Sequence, residues 1–285
     1  MPFSSARVGL VCLFVLLAPS GASAKSKRSL GKEAAWTYRS TGPPGEQPYG
    51  PGDWHLGYPD CASNTQSPIN MASDDLHVTT TDDFTLTFTH NSCNSSDLVF
   101  QADFAVWQVY LDGCADQPHL TFQNETYNLL QFHIHSPSEN TFGGGEYAAD
   151  IHMVHTKEET GDLLVVGIMF EVSEYGSNVE LQNLWQVLGM GHNVTDTPFE
   201  TSIYGLLPAS PTFSTFSGSL TTPPCSEGVT WIVMNEPVVM SKKQLEEYRH
   251  SVASFPGSKV DEFGNTKRSV QALNGRDLFY VTPVA

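Results

Sequence analysis

Ser219-Leu220-Thr221-Thr222-Pro223-Pro224-Cys225-Ser226-Glu227-Gly228-Val229-Thr230-Trp231 is the stretch on which the fold of this chain turns. Taken alone, it is a Thr- and Pro-rich turn leading into an apolar, β-rich run, Val229 to Met240. Runs of the same kind recur upstream at Phe84 to Thr89, Leu98 to Phe100, Val106 to Leu111 and His119 to Phe122. They continue at Leu129 to His135, Tyr147 to His155 and Leu163 to Val172. Asp and Gly turns separate several of them. Helical spacing of apolar residues is confined to Asn178–Leu188 and Lys242–Val252. With no internal repeat and no linker long enough to divide it, the chain reads as a single, mainly β domain with peripheral helices.

Composition narrows the function. The 285 residues carry 31 Asp and Glu against 14 Lys and Arg, a net charge of −17. A phosphate backbone would be repelled, so nucleic acid is not an expected partner, and anionic membrane surfaces are disfavoured for the same reason. Residues 1–24 read as a secretory signal: Arg7, the apolar run Val8 to Ala18, the breakers Pro19 and Gly21, and the small-residue site Ala22-Ser23-Ala24. That run is too short to span a bilayer, and Val281 to Ala285 lacks the apolar tail of a lipid-anchor signal. The expectation is a secreted, extracellular protein without a membrane anchor. A basic arm, residues 25–33, precedes the domain at 34–285, whose Gly/Pro-rich start is held by Trp36, Tyr38 and Trp54. Loss of Cys12 with the signal leaves Cys61, Cys93, Cys114 and Cys225, an even set for an oxidising compartment with three possible pairings. Sequons at Asn94, Asn124 and Asn193 are candidate glycan sites.

The chemistry is written in histidine. Gln131-Phe132-His133-Ile134-His135 alternates as a strand, which puts His133 and His135 on one face. In the next β run, Asp150, His152 and Val154 share a face, while Ile151, Met153 and His155 share the other. If the two strands are neighbours, His152 joins His133 and His135. Three neutral imidazoles leave a tetrahedral Zn²⁺ one open position, as a catalytic site requires. Gln131 stands i−2 to His133, and Asp150 stands i−2 to His152. Each is placed to accept the other ring N–H and fix the ligand's orientation. The chain has no H-E-x-x-H, which argues against a zinc-protease helix. His133-x-His135, Glu139 and the Gly143-Gly144-Gly145 turn also resemble the first metal motif of cupin barrels, with Glu139 then a direct ligand.

The stretch from Ser219 to Trp231 resembles the signature of the α-class carbonic anhydrases. Three further blocks are similar to that family in the same order: Cys61 to Met71 with Gln66-Ser67-Pro68-Ile69-Asn70, Gln131 to His155, and Leu273-Asn274-Gly275-Arg276. Together they cover roughly residues 34 to 280. The resemblance implies a central, mostly antiparallel twisted β-sheet and a zinc ion on His133, His135 and His152. It implies reversible hydration of CO2 to bicarbonate and a proton by zinc-bound hydroxide. Thr221 would accept a hydrogen bond from that hydroxide and donate its own proton to Glu139. The implied CO2 pocket is Val154, Val165, Leu220, Thr222, Val229 and Trp231, with Tyr38 in the cavity hydrogen-bond network and Tyr49 competing for that place. It also implies a Cys61–Cys225 disulfide, leaving Cys93 and Cys114 for each other, and inhibition by sulfonamides and anions.

The chain departs from the family in ways that bear on rate. A histidine usually carries protons out near the cavity mouth, and gapless comparison of Leu98 to Leu111 puts Ala105 there, between Phe104 and Val106. His77, His90, His119 and His192 are the remaining candidates for proton transfer. Asn140 replaces a supporting histidine, and Phe216 stands where a tyrosine is common. A rival expectation from another class is a non-catalytic secreted acidic glycoprotein that binds mineral or Ca²⁺.

Overall fold

The computed structural model describes residues 35–39, 45–91, 99–103, 106–111, 114, 116–187, 203–210, 212–255 and 258–283. The expected signal at 1–24 and basic arm at 25–33 lie outside them. The strands are β1 (Asn70–Met71), β2 (Leu76–Thr80), β3 (Leu86–Thr89), β4 (Val99–Asp103), β5 (Val106–Tyr110), β6 (His119–Phe122) and β7 (Glu125–His135). They continue with β8 (Thr141–Phe142), β9 (Ala149–Thr156), β10 (Leu163–Ser173), β11 (Phe213–Ser219), β12 (Glu227–Met234), β13 (Val238–Ser241) and β14 (Leu278–Thr282). Among the described residues the helices are α1 (Trp54–Gly57), α2 (Val179–Val187) and α3 (Lys242–Ser254), with short 3₁₀ turns.

One large mixed sheet runs in the order β2-β14-β11-β12-β10-β9-β7-β5-β4, with β13 beside β10 and the pair β3–β6 beside β7. Its pairings are antiparallel except β10–β12, β10–β13 and β14–β2. The single run expected from Val229 to Met240 is broken at Asn235-Glu236-Pro237 into β12 and β13, because proline cannot donate to a ladder. β2, β11 and β14 are strands that the sequence reading passed over. Residues 213–216 of β11 are buried on both faces, which removes the alternation that betrays a half-exposed strand.

The central strands bury two different faces. Ile151, Met153, Leu164, Val166, Ile168, Phe132 and Ile134 point to the larger core, closed by Leu181, Trp185, Leu245 and Tyr248 from α2 and α3. Val154, Val165, Met169, Val229, Trp231 and Val233 point to the smaller cluster on the opposite face. His133, His135 and His152 belong to that second face by strand alternation. Helix α3 anchors the frame: Ser241 and Gln244 form its capping box. From α3 the Tyr248 hydroxyl donates to Ile134 O, and Arg249 Nε donates to Ser136 Oγ at 2.8 Å, pinning the end of β7.

Candidate metal centre

β7 and β9 are antiparallel neighbours, and their register sets His133 directly opposite His152 and His135 opposite Asp150. The condition for a third ligand is therefore met by sheet pairing. The donor atoms of His133, His135 and His152 lie within 4.8 Å of one another. Each ring commits its other nitrogen to an acceptor. His133 Nδ1 donates to Gln131 Oε1 at 2.9 Å, His135 Nδ1 to Thr266 O at 2.5 Å, and His152 Nε2 to Asp150 Oδ2 at 3.1 Å. The nitrogens left over are His133 Nε2, His135 Nε2 and His152 Nδ1, and the buried His135 Nε2 has no hydrogen-bond partner. Burial, above all, pushes all three imidazoles below their ordinary pKa, so they are neutral and present lone pairs. A buried cluster of lone pairs lacking N–H donors fits a borderline metal ion such as zinc.

Beside the rings sits Glu139, fully enclosed. Its Oε2 lies 3.6 Å from His135 Nε2 and 3.9 Å from His152 Nδ1. Its Oε1 accepts the backbone N–H of Arg268 at 2.8 Å, its Oε2 has no hydrogen-bond partner among the described residues, and the Thr221 side chain is close enough to hold the carboxylate's pKa down. Burial raises its pKa well above the usual range and Asp150 adds to this, while Thr221 and Arg268 oppose it. Asp150 accepts Glu139 N–H at 2.9 Å through the oxygen that also meets His152. Burial pushes Asp150 up to about 6, against the pull of His135 and of backbone N–H groups. The donor group comprises the three histidines; Glu139 Oε1 is committed to Arg268 N–H, while its unpartnered Oε2 lies beside the rings. The cupin-type alternative needs Glu139 as a further donor, which the three-histidine group does not include.

The remaining expected residues are placed as follows. Val154, Val165, Val229 and Trp231 are buried in the second apolar cluster, with Leu220 packed against it. Trp231 lies edge-on to His152 at 4.9 Å, and Phe216 stacks on Trp231 at 6.1 Å. Thr222 is half-buried, its carbonyl accepting Cys225 N–H at 2.8 Å. Tyr38 is buried with its ring 6.5 Å from His135, whereas Tyr49 bridges to Trp36. Asn140 Oδ1 accepts Ile69 N–H at 2.9 Å, tying the Gln66–Asn70 segment to the end of β7. Cys61 and Cys225 are joined in a disulfide. Cys114 is also disulfide-bonded, while Cys93, the partner expected for it, lies outside the described residues. Asn94, Asn193, Ala105 and His192 lie outside them too. Asn124 is exposed in the β6–β7 turn. His77 pairs with Asp277 at 3.7 Å, His119 contacts Gln117 O, and His90 lies by Tyr204.

The family model for eukaryotic-type carbonic anhydrase matches residues 49–282. The chain belongs to the α-class carbonic anhydrase family. The carbonic anhydrase of Klebsiella pneumoniae is 39% identical over 158 residues, 55% of this chain and 59% of that protein. The chain thus spans about three fifths of the length of the curated relatives it matches. Among solved structures, the α-carbonic anhydrase of Photobacterium profundum superposes with a TM-score of 0.66 at 30% identity, covering 86% of this chain and 99% of that one. The α-carbonic anhydrase of Thermovibrio ammonificans, in complex with the inhibitor sulfanilamide, gives 0.65 at 28% identity with the same coverages.

Two contributors to the candidate site escaped the sequence reading. Thr266 acts through a backbone carbonyl, which any residue possesses. Arg268 acts through its backbone N–H toward Glu139 and through its side chain toward residues 61–67. Its only sequence signal is a base in a base-poor chain, four residues after Gly264 and just before the closing segment.

Proposed function

We propose that this chain is an exported zinc enzyme that interconverts CO2 and bicarbonate. The observation that carries it is the convergence of three neutral imidazole nitrogens beside a buried Thr221–Glu139 pair. His133, His135 and His152 would hold the zinc. When bound, zinc lowers the pKa of a water to about 7 and so supplies a nucleophile at neutral pH. Glu139, fixed by Arg268 N–H, would accept a hydrogen bond from the Thr221 hydroxyl. The Thr221 oxygen is thereby left as an acceptor that orients the attacking water oxygen toward carbon. Val154, Val165, Leu220, Val229 and Trp231 offer an apolar wall to a substrate without net charge, and Thr221 N–H is the polar contact for its oxygen. Water adds to CO2, bicarbonate departs and one proton must leave the site. With Ala105 at the family's shuttle position, that proton passes to buffer, so turnover rises with buffer strength. Sulfonamides and anions are expected inhibitors. Export is supported by the signal pattern at 1–24, the Cys61–Cys225 disulfide and the exposed sequon at Asn124.

The test is stopped-flow CO2 hydration by the mature chain, stripped by chelator and then restored with zinc, in weak and strong buffer. Hydration should return with zinc and climb with buffer concentration. Thr221→Ala should lower kcat on the order of 10²-fold while zinc stays bound. Absence of zinc-dependent hydration in every buffer would sink the enzyme and leave the non-catalytic acidic glycoprotein.

A further inference from the structure

Arg268 is only 3% exposed. A guanidinium so enclosed is costly unless its N–H groups are met. Nη1 donates to Gln66 Oε1 at 2.9 Å and to Ser67 O at 2.7 Å, and Nη2 donates to Cys61 O at 2.8 Å, while Nε has no hydrogen-bond partner among the described residues. The Trp54 ring lies 5.9 Å from Cζ. These contacts fasten Arg268 to residues 61–67, a segment itself tied to the loop that carries Thr221. Ser67 N–H donates to Ser219 Oγ at 2.9 Å, and Ser219 N–H donates back to Ser67 Oγ at 3.1 Å. Gln66 Nε2 donates to Cys225 O at 3.1 Å. From the same residue, the backbone N–H of Arg268 meets Glu139 Oε1 at 2.8 Å.

We infer that Arg268 is a positioning residue for CO2 hydration, its guanidinium fixing the backbone N–H that aims Glu139, and through Glu139 the Thr221 hydroxyl. The inference rests on the function proposed above. Lysine cannot reproduce it, because the contacts need N–H groups on two different nitrogens in one rigid plane. The consequence is mechanical: without the guanidinium the 266–268 segment loses its tether to residues 61–67, and the carboxylate loses a fixed donor.

The test is a double-mutant cycle in the zinc-loaded protein. Steady-state CO2 hydration is measured for wild type, Arg268→Gln, Thr221→Ala and the double variant, with zinc per chain determined for each. Arg268→Gln should lower kcat on the order of 10²-fold with KM and zinc content nearly unchanged. In the Thr221→Ala background it should lower kcat by less than about threefold, because both act on one geometry. The same factor in both backgrounds overturns the inference, as does an unchanged kcat or a loss of zinc. If Arg268→Gln does not fold, Arg268→Lys takes its place in the cycle under the same criteria. A wild type without zinc-dependent hydration overturns the proposed function and this inference together. An active wild type with independent effects overturns the inference alone.

Discussion

Asp150 shows what a single residue is asked to do here. One of its oxygens accepts both Glu139 N–H and His152 Nε2–H, so it orients a candidate metal donor and the neighbouring carboxylate at once. Asparagine at this position keeps the volume and an accepting oxygen, but loses the charge that strengthens both bonds. Asp150→Asn should weaken zinc binding by about 10–100-fold, read by competition with a chelator; unchanged affinity would show that His152 is oriented without it. The relation of Asp150 to His152, like that of Gln131 to His133, was legible because residues two apart on a strand share a face. The relation of Thr266 to His135 was not, since a carbonyl far along the chain leaves no mark in the side-chain pattern. Asn140 is intermediate: its departure from the family was visible, but its bond to Ile69 N–H needed the fold.

Strand β9 separates two histidine chemistries by alternation alone. His152 faces the metal centre, whereas His155 faces the main core, where Nδ1–H donates to Met153 O at 2.9 Å and Nε2 accepts the Tyr204 hydroxyl at 2.8 Å. That arrangement holds one neutral tautomer. Burial, only partly offset by backbone contacts to Met153 and Leu164, lowers the His155 pKa to about 3, against 6.5 in the unfolded chain. The unfolded state therefore binds the proton first. The stability contributed is complete above pH 6.5 and is lost as pH falls toward 3, at about 1.4 kcal/mol per pH unit. In His155→Gln that part of the slope should vanish in urea unfolding followed from pH 7 to pH 4; equal slopes for variant and wild type would refute the assignment. Other features of these elements were hidden from sequence. Residues 213–216 of β11 are buried on both faces, and Pro237 ends a run whose apolar content continues.

Across the whole molecule, the Cys61–Cys225 disulfide joins residues 164 apart and ties the early segment to the loop beside Thr221. Closing so long a loop restricts the unfolded chain strongly, so replacing both cysteines with serine should cost about 2–5 kcal/mol in urea unfolding. A loss well below that range would mean that the reciprocal Ser67–Ser219 bonds and Arg268 already fix the two segments. The amino-acid sequence by itself determined the β class, the shared face of His133 and His135, and the four ordered blocks that mark the family. Each of these is carried by periodicity or by side-chain identity, which a chain displays before it folds. Tertiary structure decided that His152 lies opposite His133, that Glu139 meets the backbone N–H of Arg268, and that Tyr38 approaches His135. Those facts depend on strand register and on contacts between residues far apart in the chain. Such contacts are selected by the packing of the whole sheet, and no local spacing encodes them.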